Sequence, residues 1–168
     1  MVRVLVTDEV SEKALELMKS EGIEVDVLLK KNEDELVTLA PNYDGFVIRS
    51  GVKITKKVLE AGANGKLKII GRAGVGVDNV DKEVAKELEI VVENTPFGNT
   101  NAAAEQTLAL MMLCARPTYL ACKSMKEGKW DRKSFEGTEL KLKTLGLIGF
   151  GNVGKKVARV AQSLEMNV

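Results

Sequence analysis

The sequence predicts an α/β chain, a largely parallel sheet with helices on both faces followed by the incomplete start of a second α/β unit. Two observations predict it. From Val2 onward, apolar runs of strand length and helical patterns follow each other by turns, the signature of βα units. Toward the other end, Lys143 to Gly154 reads KTLGLIGFGNVG, an apolar run that closes on Gly149, Gly151 and Gly154.

Val2 to Thr7 is an apolar strand, and Ser11 to Ser20 sets Ala14, Leu15, Leu17 and Met18 at helical spacing before Gly22 ends the helix. Ile23 to Leu29 is a second strand. Glu33 to Ala40 is a short helix stopped by Pro41, Tyr43 to Ile48 a third strand, and Thr55 to Ala61 a helix ended by Gly62. Lys66 to Ile70, Val80 to Leu88 and Ile90 to Val92 continue as strand, helix and strand. The turn residues between Asn94 and Asn99 separate an expected first domain, residues 1–96, from a second, residues 97–168. In the second, Ala102 to Ala115 is a strong helix broken at Arg116 and Pro117, and Tyr119 to Lys126 is another, ended by Gly128. Lys129 to Leu142 is a charged arm of poor periodicity around Trp130 and Phe135.

The glycine run has a chemical reading. Leu145 to Ile148 is expected to be a buried strand, and Val153, Val157, Val160, Ala161 and Leu164 continue at helical spacing. Between them Gly149 lets the chain turn, Gly151 lets backbone approach a pyrophosphate, and Gly154 lets the helix sit close to the strand. The phosphates then meet free amides at the helix N-terminus. This context favours a dinucleotide-binding (Rossmann) turn over a glycine-rich turn that serves packing alone. The same pattern places an acidic residue about 20 positions further on to hold the ribose hydroxyls of NAD. That position falls beyond Val168, so the Rossmann unit is expected to be truncated.

Composition narrows the function classes. Apolar residues make up 45% and charged residues 29%, as in globular proteins, and the net charge of +1 supplies no field for nucleic acid or a membrane surface. No apolar run approaches the roughly 20 residues that span a bilayer, and MVRVLVTDE lacks the apolar core of a signal peptide, so a cytoplasmic protein is expected. Cys114 and Cys122 lie in predicted helices, where packing is favoured over a disulfide. The chain has no histidine, which excludes within it a histidine general base, a serine–histidine pair and a histidine metal ligand. No catalytic residue and no metal ligand is assigned to it.

Two loops follow predicted strands at the edge where open α/β sheets bind ligands. Arg49 and Ser50 end the third strand, and Arg49 could fork two hydrogen bonds to a carboxylate or phosphate, although residue type alone favours a solvated arginine. Arg72, Gly74, Val75 and Gly76 follow the fourth strand, where glycines suit consecutive amides turned into an anion-binding concavity. The alternative there is a wide turn before a helix capped by Asp78 or Asn79.

Taken together, Arg49-Ser50, GRAGVGVDNVD from Gly71 to Asp81, NTPFGNTNAAAE from Asn94 to Glu105, MKEGKWDRKSFEGTEL from Met125 to Leu140, and GFGNVG resemble the D-2-hydroxyacid dehydrogenase family. The order and spacing match over essentially the whole chain. The long arm is closest to the branch acting on 3-phosphoglycerate, whereas GVGVDN and NTP with GN are shared by the wider family. The resemblance implies a flavodoxin-like substrate domain over residues 1–96 and the start of a Rossmann NAD-binding domain over residues 97–168. It implies NAD as cofactor, a phosphorylated small hydroxy acid as substrate, oxidation of 3-phosphoglycerate to 3-phosphohydroxypyruvate as reaction, and a homo-oligomer.

Carried over by position, the resemblance assigns Arg49 to the substrate phosphate, Ser50 to the substrate site, and Arg72 with the Gly74, Val75 and Gly76 amides to the substrate carboxylate. Val75 is also placed by the cofactor, Asn99 and Glu105 near the nicotinamide cleft, and the Asn152 and Val153 amides on the pyrophosphate, with Gly149, Gly151 and Gly154 in the same cofactor-binding turn. Many relatives have an arginine where Asn152 stands and a polar residue at Val75, so here only amide contacts are expected. The family's catalytic histidine, its acidic partner and a substrate-binding arginine would all lie beyond residue 168. The chain alone is therefore expected to be an inactive portion of the enzyme. A dehydrogenase for another D-2-hydroxy acid and a non-catalytic binding module are the alternatives.

Overall fold

The computed structural model describes all 168 residues. The apolar runs of the first half form five parallel strands, β1 (Arg3–Val6), β2 (Glu24–Val27), β3 (Gly45–Ile48), β4 (Ile69–Arg72) and β5 (Val91–Asn94). Their order across the sheet is β2-β1-β3-β4-β5, the flavodoxin-like order. Parallel neighbours need crossovers, supplied here by α1 (Glu12–Ser20), α2 (Glu33–Leu39), α3 (Lys56–Ala63) and α4 (Lys82–Glu87). Right-handed crossovers place α1 on one face and α2 to α4 on the other, because the chain reverses direction after β2. Contacts of α3 with both α2 and α4, and of α1 with β2, agree.

The helices start where polar side chains satisfy free amides. Ser11 Oγ accepts from the Ala14 amide at 3.3 Å. Asn32 and Glu35 form a reciprocal capping box, each side chain accepting the other's amide, at 3.0 and 2.9 Å. Phe46, Ile48 and Ile70 are buried with Leu36, Val58, Leu59 and Leu67 in the core. On the opposite face Ile69 and Val91, paired in register, remain 42% and 50% exposed.

Several expectations are corrected. Gly62 lies inside α3 instead of ending it, since a Cβ there would stand 2.5 Å from Leu67 Cδ2 and its absence lets the helix close on the segment entering β4. That segment still belongs to the helix end, with the Leu67 amide donating to Gly62 O at 3.2 Å, so β4 begins at Ile69 and runs on to Arg72. The cap of α4 is neither Asp78 nor Asn79 but Asp81, whose carboxylate accepts from the Val84 amide at 3.2 Å.

The chain divides into two compact units, Met1–Gly98 and Asn99–Val168. The second contains α5 (Thr100–Ala115), α6 (Thr118–Lys126) and α7 (Asn152–Ser163), with α5 packed on α7. Leu145 to Ile148 is not a strand. The only pairing there is a parallel bridge between Thr144 and Asn167, and Ile148 is fully exposed at 108%. A strand exists through its ladder of partners, and the short segment about Asn167 offers just one rung. Cys114 and Cys122 are exposed and free, not packed inside, because the surfaces of α5 and α6 that carry them are uncovered in this chain. Val160 is likewise largely exposed, while Val157 and Ala161 form the buried face of α7.

Candidate functional site

The strand order reverses between β1 and β3, whose chains depart in opposite directions and leave a crevice beyond their carboxyl ends. Thr7, Asp8 and Glu9 follow β1, Arg49, Ser50 and Gly51 follow β3, and these residues line one hollow with Leu29 and Lys30. The two carboxylate oxygens of Asp8 divide the work of holding the turn. Oδ2 accepts from the Arg49 amide at 2.7 Å and Oδ1 from the Gly51 amide at 3.0 Å. Any side chain at Gly51 would collide with that carboxylate. With its backbone fixed, the Arg49 guanidinium makes a single long contact, 3.4 Å to Glu9 O, and stays exposed at the crevice.

The neighbouring loop leaves β4 at Arg72. The Ala73 amide donates to Ile48 O at 2.8 Å and the Gly74 amide to Arg72 O at 2.8 Å. From the other side, Thr95 donates its amide to Gly74 O at 3.0 Å, and Asn94 Nδ2 donates to Val75 O at 2.6 Å. The amides of Val75, Gly76 and Val77 donate to no acceptor in the chain. Beside them Arg72 Nε is buried without a protein acceptor, and a Cβ at Gly74 would strike the same guanidinium. Consecutive free amides next to a buried cationic donor suit an anion such as a carboxylate. Asn79 joins this loop to the Arg49 turn, its Nδ2 donating to Arg49 O at 2.7 Å and to Val52 O at 2.8 Å.

In the second unit, Gly149 adopts a φ of 96°, the left-handed region open to glycine. Gly154 is needed by the packing, since a Cβ there would be 2.5 Å from Gly149 O. Gly151 is needed by neither constraint. Its φ is −82°, and a Cβ would meet nothing within 4 Å. It caps α7, and the amides of Asn152, Val153 and Gly154 lack acceptors before Lys155 donates back to Gly151 O at 3.0 Å. Free amides at a helix start are donors of the kind that suit a phosphate. Asn99 receives the Ala103 amide on its carbonyl at 2.9 Å but makes no side-chain cap, and Glu105 is exposed on α5.

Arg49, Ser50, Arg72, Gly74, Val75 and Gly76 are thus gathered at one edge of the first unit, and Asn99, Glu105, Gly149, Gly151, Asn152, Val153 and Gly154 lie in the second. Sequence reasoning missed Asp8 and Asn94 and offered Asn79 only as one of two caps in its alternative reading of the loop. An acidic residue directly after the first strand of a βα series is the one signal that could have marked Asp8.

A parallel sheet of order β2-β1-β3-β4-β5, with its loops gathered at the carboxyl edge, defines an α/β protein of flavodoxin-like topology. A model of the D-isomer specific 2-hydroxyacid dehydrogenase catalytic domain matches residues 4–165. The chain belongs to that family. It is 48% identical to a D-3-phosphoglycerate dehydrogenase of Archaeoglobus fulgidus, over 99% of this chain and 31% of that protein. It is 46% identical to a hydroxypyruvate reductase of Thermotoga maritima, over 99% of this chain and 54% of that protein. Among solved structures, an NAD+-bound 3-phosphoglycerate dehydrogenase of Entamoeba histolytica superposes with a TM-score of 0.76 at 33% identity, covering 99% of this chain and 52% of that one. The chain therefore spans between 31% and 54% of the length of these relatives.

Proposed function

We propose that residues 1–96 are the substrate domain, and residues 97–168 the beginning of the NAD-binding domain, of a D-3-phosphoglycerate dehydrogenase. That enzyme oxidises C2 of 3-phospho-D-glycerate to give 3-phosphohydroxypyruvate, the first step of L-serine biosynthesis. The observation that carries the reading is the pair of anion-directed loops on one unit, because this substrate is anionic at both ends. Arg72 and the Gly74, Val75 and Gly76 amides take the carboxylate, and Arg49 with Ser50 takes the phosphate.

The turn from Gly149 to Gly154 and the amides of Asn152 and Val153 hold the pyrophosphate of NAD, and Val75, Asn99 and Glu105 serve the nicotinamide end. When bound, NAD accepts the hydride. These residues bind and orient, and none can take the hydroxyl proton as a histidine would, so the 168 residues alone are expected not to turn over. A cytoplasmic location belongs to the same reading, as does a homo-oligomer, which the exposed apolar side chains of α5 and α6 support.

A second reading has a specific observation behind it. The Thermotoga maritima relative is nearly as similar as the phosphoglycerate enzymes and is named for an unphosphorylated substrate. A chimera separates the two, with residues 1–168 replacing the matching residues of the Archaeoglobus fulgidus enzyme. The expected result is a kcat/KM with NAD that is higher for 3-phospho-D-glycerate than for D-glycerate. The reverse preference would establish the second reading.

A further inference from the structure

We infer that Asp8 and Asn79 are positioning residues that hold the Arg49 turn in register with the glycine cradle, and that this register selects a phosphorylated over a plain hydroxy acid. The inference rests on the substrate reading given above. A short molecule anionic at both ends holds its charges within a span of a few bonds, so recognising both at once requires two loops kept within that reach. Arg49, Ser50 and Gly51 are exposed between the buried Ile48 and Val52. Two buttressing side chains hold their backbone. Asp8, arriving from β1, uses both oxygens on the Arg49 and Gly51 amides. Asn79, arriving from the cradle's own loop, spends both hydrogens of its amide nitrogen on the Arg49 and Val52 carbonyls.

The chemistry of each position is not interchangeable. An amide at position 8 could accept at only one of its two terminal atoms, and a carboxylate at position 79 would face two carbonyl oxygens with no proton to offer. Backbone pairing continues the seam between the loops, with the Ile54 amide donating to Asn79 O at 2.8 Å and the Asp81 amide to Ile54 O at 3.0 Å. Asn79 therefore ties the two loops together through both its side chain and its backbone.

The test uses the 168-residue chain, titrated calorimetrically with 3-phospho-D-glycerate and with D-glycerate, and followed by amide hydrogen exchange at Arg49 and Gly51. The variants are Asp8→Asn and Asn79→Asp. Each is expected to speed exchange at those two amides while Leu5 and Ile48 stay protected. Each should weaken 3-phospho-D-glycerate by about tenfold or more, the loss that follows when a charge-assisted hydrogen bond is misplaced, and leave D-glycerate within about threefold. Should Asn79→Asp fail to fold, Asn79→Ala removes the donors without a new charge and carries the same expectation. Slow exchange at Arg49 and Gly51 in the variants would overturn the positioning role. Equal weakening of both ligands would overturn the selection. If the unsubstituted chain binds neither ligand, the titrations are read in the chimera, which supplies the arginine expected beyond residue 168; a chimera that also binds neither ends the substrate reading and the selection with it, while the exchange rates still decide the positioning.

Discussion

Gly149, Gly151 and Gly154 occupy one turn yet answer to different constraints: a left-handed φ, open space, and a close approach to a carbonyl. Substitutions should separate them. Gly154→Ala drives a Cβ toward Gly149 O and should cost roughly 1–3 kcal/mol, read as a lower denaturation midpoint of the chain. Gly151→Thr should leave stability within about 0.5 kcal/mol, because threonine and glycine are comparable helix N-caps. In the chimera it should weaken NAD binding, and unchanged NAD affinity would remove the phosphate reading of this turn. Arg49→Ala, also in the chimera, should raise KM for 3-phospho-D-glycerate by the roughly 1.5–3 kcal/mol of a lost charge-assisted hydrogen bond while barely moving KM for NAD. A further residue-scale effect lies at the opposite end of the sheet. The Tyr43 hydroxyl, in a side chain only 4% exposed, donates to Asp26 Oδ2 at 2.8 Å beside Arg3. Burial, then the hydrogen bond and charge of Asp26, push this phenol above its ordinary value. The neutral phenol is the favoured form in the fold, so its contribution is full below the unfolded pKa of about 10 and is lost as pH rises through the folded value. Denaturant melts should therefore find Tyr43→Phe about 1 kcal/mol less stable than the parent at neutral pH and the gap narrowing in alkali.

At the scale of elements, α5 and the segment before α7 illustrate how an element depends on its neighbours. Helix α5 is apolar over most of its circumference, which marks a helix meant to be largely enclosed. Leu110, Leu113 and, on α6, Leu120 are nonetheless exposed. Such a surface associates, so sedimentation of the chain at high micromolar concentration should give a dimer or larger species. Replacing Leu113 and Leu120 by lysine should shift it to monomer; a parent chain that is already strictly monomeric would sink the idea. Leu145 to Ile148 has the composition of a buried strand, but composition cannot supply rungs, and only the Thr144–Asn167 bridge forms.

At the scale of the molecule, the two units differ in what encloses them. The first has a continuous core from Leu5 to Ile90, whereas the second buries chiefly Ala104, Val157, Ala158, Ala161 and Met166. Hydrogen exchange should therefore be slowest in β1, β3 and β4 and fastest from Lys129 to Leu142, which contains no helix or strand. Even protection from Val2 to Leu164 would contradict this. The alternation of strands and helices in the first unit, the stops at Gly22 and Gly128 and the glycine-rich loop after the fourth strand were legible in the sequence, because periodicity and turn chemistry are properties of neighbouring residues. Gly62 was misread for the complementary reason: a glycine that ends a helix and one that lets a helix approach Leu67 look alike until the partner is in place. The flavodoxin-like strand order was implied by the family resemblance and by no residue pattern, and the meeting of the β1 loop with those after β3 and β4 came only from the tertiary structure. So did the roles of Asp8, whose partner Arg49 is 41 residues away, and Asn79, 30 residues from the carbonyl it holds. A side chain's local neighbours set its propensity, but its hydrogen-bond partners across the switch point are chosen by the path of the whole chain.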